Sequence, residues 1–161
     1  MMPVVKSLLS IVFAISMTAA VAQKQKPATA KPTGTEKFKP PKLTCTLGTH
    51  ADSAIVLRDE ALQLIALPLK ITDDKKNTYS VSSYQLMYKR KAVTEDEQTG
   101  KVTPIMSNVS NLFRETPITP LWTKILNEQL RAGEELYFFD IVARDANGRL
   151  MFAPELRIKI K

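Results

Sequence analysis

One cysteine, Cys45, and one histidine, His50, limit the side-chain chemistry open to this 161-residue chain. A single histidine builds no multi-histidine metal site, and structural zinc takes four Cys or His ligands. Cys45 and His50 would act as a nucleophile and base only if the thiol lay exposed in an electropositive setting. The spacing argues otherwise. Cys45 alternates in phase with Leu43 and Leu47, the pattern of a small apolar residue buried on a strand, and Gly48-Thr49-His50 reads as a turn. No Gly-x-Ser-x-Gly elbow occurs, and five glycines leave little material for a phosphate loop. No catalytic residue, metal ligand or cofactor is expected, and the chain reads as a non-enzyme.

The carboxylates add little. Asp73-Asp74 and Glu134-Glu135 are adjacent pairs at turns or a strand start, the usual solvated positions. Glu95-Asp96-Glu97 lacks the alternating oxygen ligands of a calcium loop. Asp140 stands alone in an apolar strand, where a buried acid needs a partner; Arg114, Arg144 and Arg149 have the right type, and a structural ion pair or an edge-exposed position is expected. A hydrolase of unknown class built on Asp140 or Cys45 is the catalytic alternative.

Aromatic residues offer binding instead. Trp122 lies on an apolar helical face and reads as core. Tyr84 and Tyr88 share one face of a long strand with Leu86 and Arg90. On an open sheet that stripe of Tyr84, Leu86, Tyr88 and Arg90 would make a partner surface. The same aromatics would serve a carbohydrate-binding accessory domain, the alternative.

The elements that must position these residues follow from composition and periodicity. Residues 1–22 have a basic start, an apolar run from Leu8 to Ala22 and an Ala20-Val21-Ala22 end, the pattern of a cleavable export signal. A periplasmic or secreted location is expected. Residues 23–41 are rich in Lys, Pro, Thr and Ala and read as a disordered or polyproline-like spacer. Much of the net charge of +7 lies there. Such a tail suits contact with an anionic membrane surface; export and the lack of interleaved aromatics argue against nucleic acid.

The folded domain is expected over 42–161, without a disulfide, since only one cysteine is present. Leu43–Leu47 alternates as a strand. Ser53–Leu57 is a short apolar run, and Asp59–Leu67 is ambiguous between helix and strand. Tyr79–Val93 is the longest strand, pairing with 101–107 across an acidic hairpin loop, and 108–117 reads as a connection. Thr119 and Pro120 open a helix with Leu121, Trp122, Ile125, Leu126 and Leu130 on its inner face, and Gly133 is its stop. Residues 134–143 form a strand apolar on both faces, hence covered on both sides. Asp145-Ala-Asn-Gly148 is a tight turn. Leu156, Ile158 and Ile160 point inward from a final strand. Strands at hairpin spacing with one or two short helices predict a mainly β, antiparallel, immunoglobulin-like sandwich.

Four segments in order carry a family resemblance: 55–67, Tyr79-Ser-Val-Ser-Ser-Tyr-Gln-Leu, the helix ending Leu130-Arg-Ala-Gly133-Glu-Glu, and Leu136-Tyr-Phe-Phe-Asp-Ile141 with Asn147-Gly148-Arg149. Together they resemble the C-terminal domain of the gliding-motility and type IX secretion protein GldM, over Cys45–Lys161. The resemblance implies an immunoglobulin-like periplasmic module that contacts other proteins of an envelope machine in Bacteroidetes-type bacteria, without catalysis. That family keeps a transmembrane helix and several domains ahead of this one, whereas a cleavable-looking signal and short spacer stand here. The resemblance therefore carries over a fold and a protein-binding role, with no statement about oligomeric state.

Overall fold

The computed structural model describes Phe38–Lys161. The expected signal, 1–22, and residues 23–37 of the expected spacer lie outside the described residues. Phe38 to Lys42 has no regular structure, and the Arg149 guanidinium stacks 4.0 Å above the Phe38 ring.

Nine strands and two helices follow: β1 Leu43–Leu47, β2 His50–Ala51, β3 Ser53–Val56, α1 Arg58–Ile65, β4 Leu69–Asp73, β5 Thr78–Glu95, β6 Val102–Phe113, α2 Pro120–Gln129, β7 Glu135–Arg144, β8 Leu150–Phe152 and β9 Leu156–Ile160. They form one sheet in the order β2-β1-β4-β5-β7-β9-β3, with β6 added to β5 and β8 to β7. Asp52, at φ 59°, turns β2 directly into β3, so the first and last strands of this path are neighbours in the chain. The sheet is thereby nearly closed into a barrel. Its pairs are antiparallel except β3 with β9, which is parallel. The expectation of a purely antiparallel sheet is corrected by that one pair. The strand β3, from the run 53–57, lies beside β9, and α1 then carries the chain from β3 to β4.

The long β5 organises the wall. Tyr79 pairs with Ile71 of β4, β6 takes the same edge from Tyr84 onward, and β7 lies along the other edge. The segment 108–117, expected as a connection, belongs to β6 as far as Phe113. Its polar Asn and Ser residues hid a strand that is solvated on both faces.

Alternation works where strands are regular. Leu43, Cys45 and Leu47 point inward from β1, as do Leu156, Ile158 and Ile160 from β9. β7 breaks the pattern. Leu136 and Phe138 are buried, Asp140 sits at φ 48° with β5 registers shifting beside it, and Ile141 and Ala143 are buried next. A β-bulge at Asp140 thus moves the inward phase by one residue. The strand is not covered on both sides: one face, bearing Tyr137, Phe139 and Val142, looks outward.

Both helices lie against the core. The segment 59–67 resolves as α1, with Ala61, Leu64 and Ile65 buried. In α2, Trp122 and Leu126 are buried, while Leu121, expected inside, is 66% exposed. Thr119 is extended before the helix, but its side chain makes no capping bond. The helix ends at Gln129, before the expected glycine stop. Arg58 satisfies its last carbonyls, donating Nε to Leu130 O at 2.9 Å and Nη2 to Asn127 O. Gly133, at φ 83°, belongs to the following turn, where its N–H reaches Ile160 O at 2.8 Å.

Candidate interaction surface

The residues with reactive side chains are held apart. Cys45 is 1% exposed on β1, and burial pushes its thiol up to about 12. His50 sits on β2 with Nε2 3.1 Å from Glu60 Oε1. No hydrogen bond joins Cys45 to His50 among the described residues, nor does any group of three metal-binding side chains gather there.

Two acids read as solvated are buried. Asp73 accepts from the N–H groups of Lys75 and Asn77 at 2.9 and 2.8 Å, from the Asn77 amide at 2.8 Å and from Tyr79 OH at 3.0 Å. The Asn77 side-chain bond leads the effects that hold its carboxyl below the usual range. Glu134, 2% exposed, accepts from Tyr88 OH at 2.5 Å, Lys91 N–H at 2.9 Å and Arg131 N–H at 2.7 Å. It ties the end of α2 to β5 and the start of β7. Both acids organise turns. Asp140 lies exposed at the bulge and accepts from Gln85 Nε2 at 2.8 Å, so no arginine pairs with it.

The stripe expected as a partner surface faces the interior. Tyr84 and Leu86 are fully buried and Tyr88 is 1% exposed. Tyr84 stacks on Phe113 at 5.3 Å and meets Phe138 at 6.0 Å, and Phe113 meets Trp122 edge-on at 5.7 Å. The reason is register. Leu86 pairs with Phe138 and Tyr88 with Leu136, so the stripe shares the inward face of β7, and Trp122 of α2 packs on that side. Arg90, at the stripe's end, is half-buried. Its Nη1 reaches Gln129 Oε1 at 3.2 Å and its Nε has no partner. A cavity of about 280 Å³ lies there between Arg90, Val109, Trp122 and Ile125.

The opposite face of the same strands carries the surface that periodicity alone did not reveal. Met87 of β5, Tyr137 of β7 and Arg157 of β9 lie side by side, as do Lys89, Glu135 and Lys159 one pleat further. Tyr137 stacks on Phe139 with centroids 5.0 Å apart. The Arg157 guanidinium lies 4.2 Å and Lys89 Nζ 5.2 Å from the Tyr137 ring centre, and Lys89 also pairs with Glu135 at 2.8 Å. The Tyr137 phenol is raised, first by its bond to Glu155. Leu112, opposite Gln85, is 53% exposed, and Phe152, opposite Val142, is 79% exposed. Tyr, Phe, Met and Arg on one outward face match the residues enriched where proteins bind proteins. The signal was the aromatic run Tyr137-Phe138-Phe139; the bulge disguised which of its rings is outside.

No protein-family model matches this chain, and no curated protein matches its sequence.

Proposed function

We propose that this protein is an exported, non-enzymatic module that binds another protein of the bacterial cell envelope. The observation that carries this reading is the outward Tyr137–Phe139 stack bracketed by Met87, Lys89 and Arg157. Preformed aromatic and arginine clusters bind at low ordering cost, because the side chains are already held. The resemblance described above supports an envelope partner in gliding or type IX secretion machinery, and an immunoglobulin-like sandwich as the kind of module.

A carbohydrate-binding role draws support from the same outward aromatics. It is the weaker reading, because sugar stacking needs an open ring face. Phe139 lies against the Tyr137 ring, and Arg157 and Lys89 sit over it.

A pull-down from envelope extract compares the native protein with Tyr137→Ala/Phe139→Ala. Loss of hot-spot aromatics costs about 2 kcal/mol or more, so retained partners are expected to fall at least about tenfold. An unchanged set of partners overturns this assignment, and binding on a glycan array that the same pair of substitutions abolishes favours the carbohydrate reading.

A further inference from the structure

We propose that the cavity between β5, β6 and the end of α2 binds a carboxylate carried on a short apolar stem, with Arg90 taking the charge. The inference is independent of the outward aromatic face, which lies on the other side of β5.

Strand alternation puts Arg90 two residues beyond Tyr88 on the inward face of β5, opposite Ser107 of β6. The helix α2 ends at Gln129, so its cover over the sheet stops there. A cavity of about 280 Å³ remains. Tyr88, Val109, Trp122 and Ile125 supply its apolar lining, and Arg90 and Gln129 its polar groups. The Tyr88 hydroxyl is spent on Glu134.

Arg90 has no counter-ion among the described residues. Lys89, Arg149 and Arg157 each pair with a carboxylate, but no ion pair includes Arg90. Its one acceptor is the neutral Gln129 Oε1. Glu134, the acid held by the neighbouring Tyr88, is already filled by that hydroxyl and the N–H groups of Lys91 and Arg131. Arg90 Nε is enclosed without an acceptor. Among the described residues it is the single buried side-chain polar atom left so. Buried donors are nearly always satisfied, because an unmet one forfeits the hydrogen bonds it made in water.

A carboxylate answers both features of the cavity. Its two oxygens match the planar fork of Nε and Nη2, and the guanidinium turns about its Gln129 bond to present that fork. A bare inorganic anion leaves Val109, Trp122 and Ile125 uncovered, whereas a branched or aromatic stem buries them. The volume falls below the range of about 300–1,000 Å³ typical of pockets for drug-sized ligands. The occupant is therefore one small acid or the last residue of a chain.

Isocaproate, the leucine skeleton without its amine, is the probe. Heteronuclear NMR on the purified protein resolves the Arg90 Nε–H signal, assigned by its loss in Arg90→Met. Isocaproate is expected to move that signal and the Trp122 indole signal with a Kd of about 1 mM. Acetate lacks the stem and isocaproamide the charge, and each is expected to bind at least about tenfold more weakly. Arg90→Met is expected to lose the Trp122 response. Val109→Trp, at an exposed strand position, fills the cavity and is expected to lose binding with Arg90 still present. No shift at about 20 mM isocaproate overturns the proposal. So does equal binding of isocaproamide, or binding that either variant keeps. A peptide ending in leucine distinguishes the two sources of the carboxylate. Binding tighter than isocaproate, and lost in its C-terminal amide, assigns the site to chain ends; no gain from the peptide assigns it to free acids.

Discussion

Tyr88 donates its phenolic hydrogen to Glu134 across 46 residues of chain, at 2.5 Å, with both side chains withdrawn from water. The same carboxylate accepts from the main chain at Lys91 and Arg131. One buried acid therefore satisfies a tyrosine and two backbone donors where β5, β7 and the end of α2 converge. Truncating it strands those donors in the interior. Glu134→Ala is expected to lower unfolding free energy by about 3 kcal/mol, and Tyr88→Phe, which removes one donor but leaves the acid two partners, by about 1 kcal/mol. Urea titration of the three proteins checks the order; equal losses would contradict it.

Asp73 makes stability depend on acid. Its folded carboxyl titrates below the ordinary value of about 3.9, so the native state favours the ionised form. The sign follows: the contribution is fully present above about pH 4 and disappears as pH falls through the lower, folded value. Denaturant midpoints measured from pH 7 down to pH 2 are expected to fall more steeply for the native protein than for Asp73→Asn. A residual slope in the variant is expected from Asp96, also lowered, first by the backbone N–H of Thr99.

Cys45 is expected to be silent toward thiol reagents. Burial on β1 both blocks access and keeps the thiol protonated. A disulfide reagent such as Ellman's should label it only as fast as the protein unfolds, and fully in denaturant. Rapid stoichiometric labelling of the folded protein would show that β1 opens readily.

The bulge at Asp140 is testable by backbone preference. At φ 48° a β-branched residue is strained and glycine is not. Asp140→Val is expected to cost about 1–2 kcal/mol and Asp140→Gly close to nothing beyond the lost Gln85 contact. Thermal unfolding of the two variants distinguishes them; a well-tolerated valine would mean that the bulge lies elsewhere.

Gly133 carries a second backbone constraint. A Cβ there would lie 2.6 Å from Lys91 Nζ, and φ is 83°. Lys91 itself donates to Ala132 O at 2.8 Å, so it cannot swing away without losing that bond. Gly133→Ala is expected to destabilise by about 1–2 kcal/mol, with Lys91→Ala/Gly133→Ala recovering only the steric part.

Much of the framework was readable from residue pattern because local rules governed it. Alternation placed β1 and β9, Pro120 marked the first turn of α2, and Asp145 to Gly148 formed the turn its composition implies, with Gly148 at φ 81° and its N–H on Asp145 O. The candidate surface was not readable in the same way. Tyr84, Leu86 and Tyr88 form an apolar stripe, but a stripe on a strand does not say which side the helices will cover. α2 covered that side, and Tyr137 and Phe139 lie on the outward face behind it.

The sequence by itself determined a mainly β chain with one or two short helices, a single unbridged cysteine inside a strand, and the in–out phase of β1 and β9. Only the tertiary structure decided that the strands wrap into a nearly closed mixed sheet, that Glu134 is buried beneath Tyr88, and that β6 ends the sheet with an open edge. The physical reason is range. Side-chain alternation is set by the backbone within a few residues. Closure, edge position and the burial of an acid depend on partners 40 or more residues away, and the Asp140 bulge shifts the phase between them.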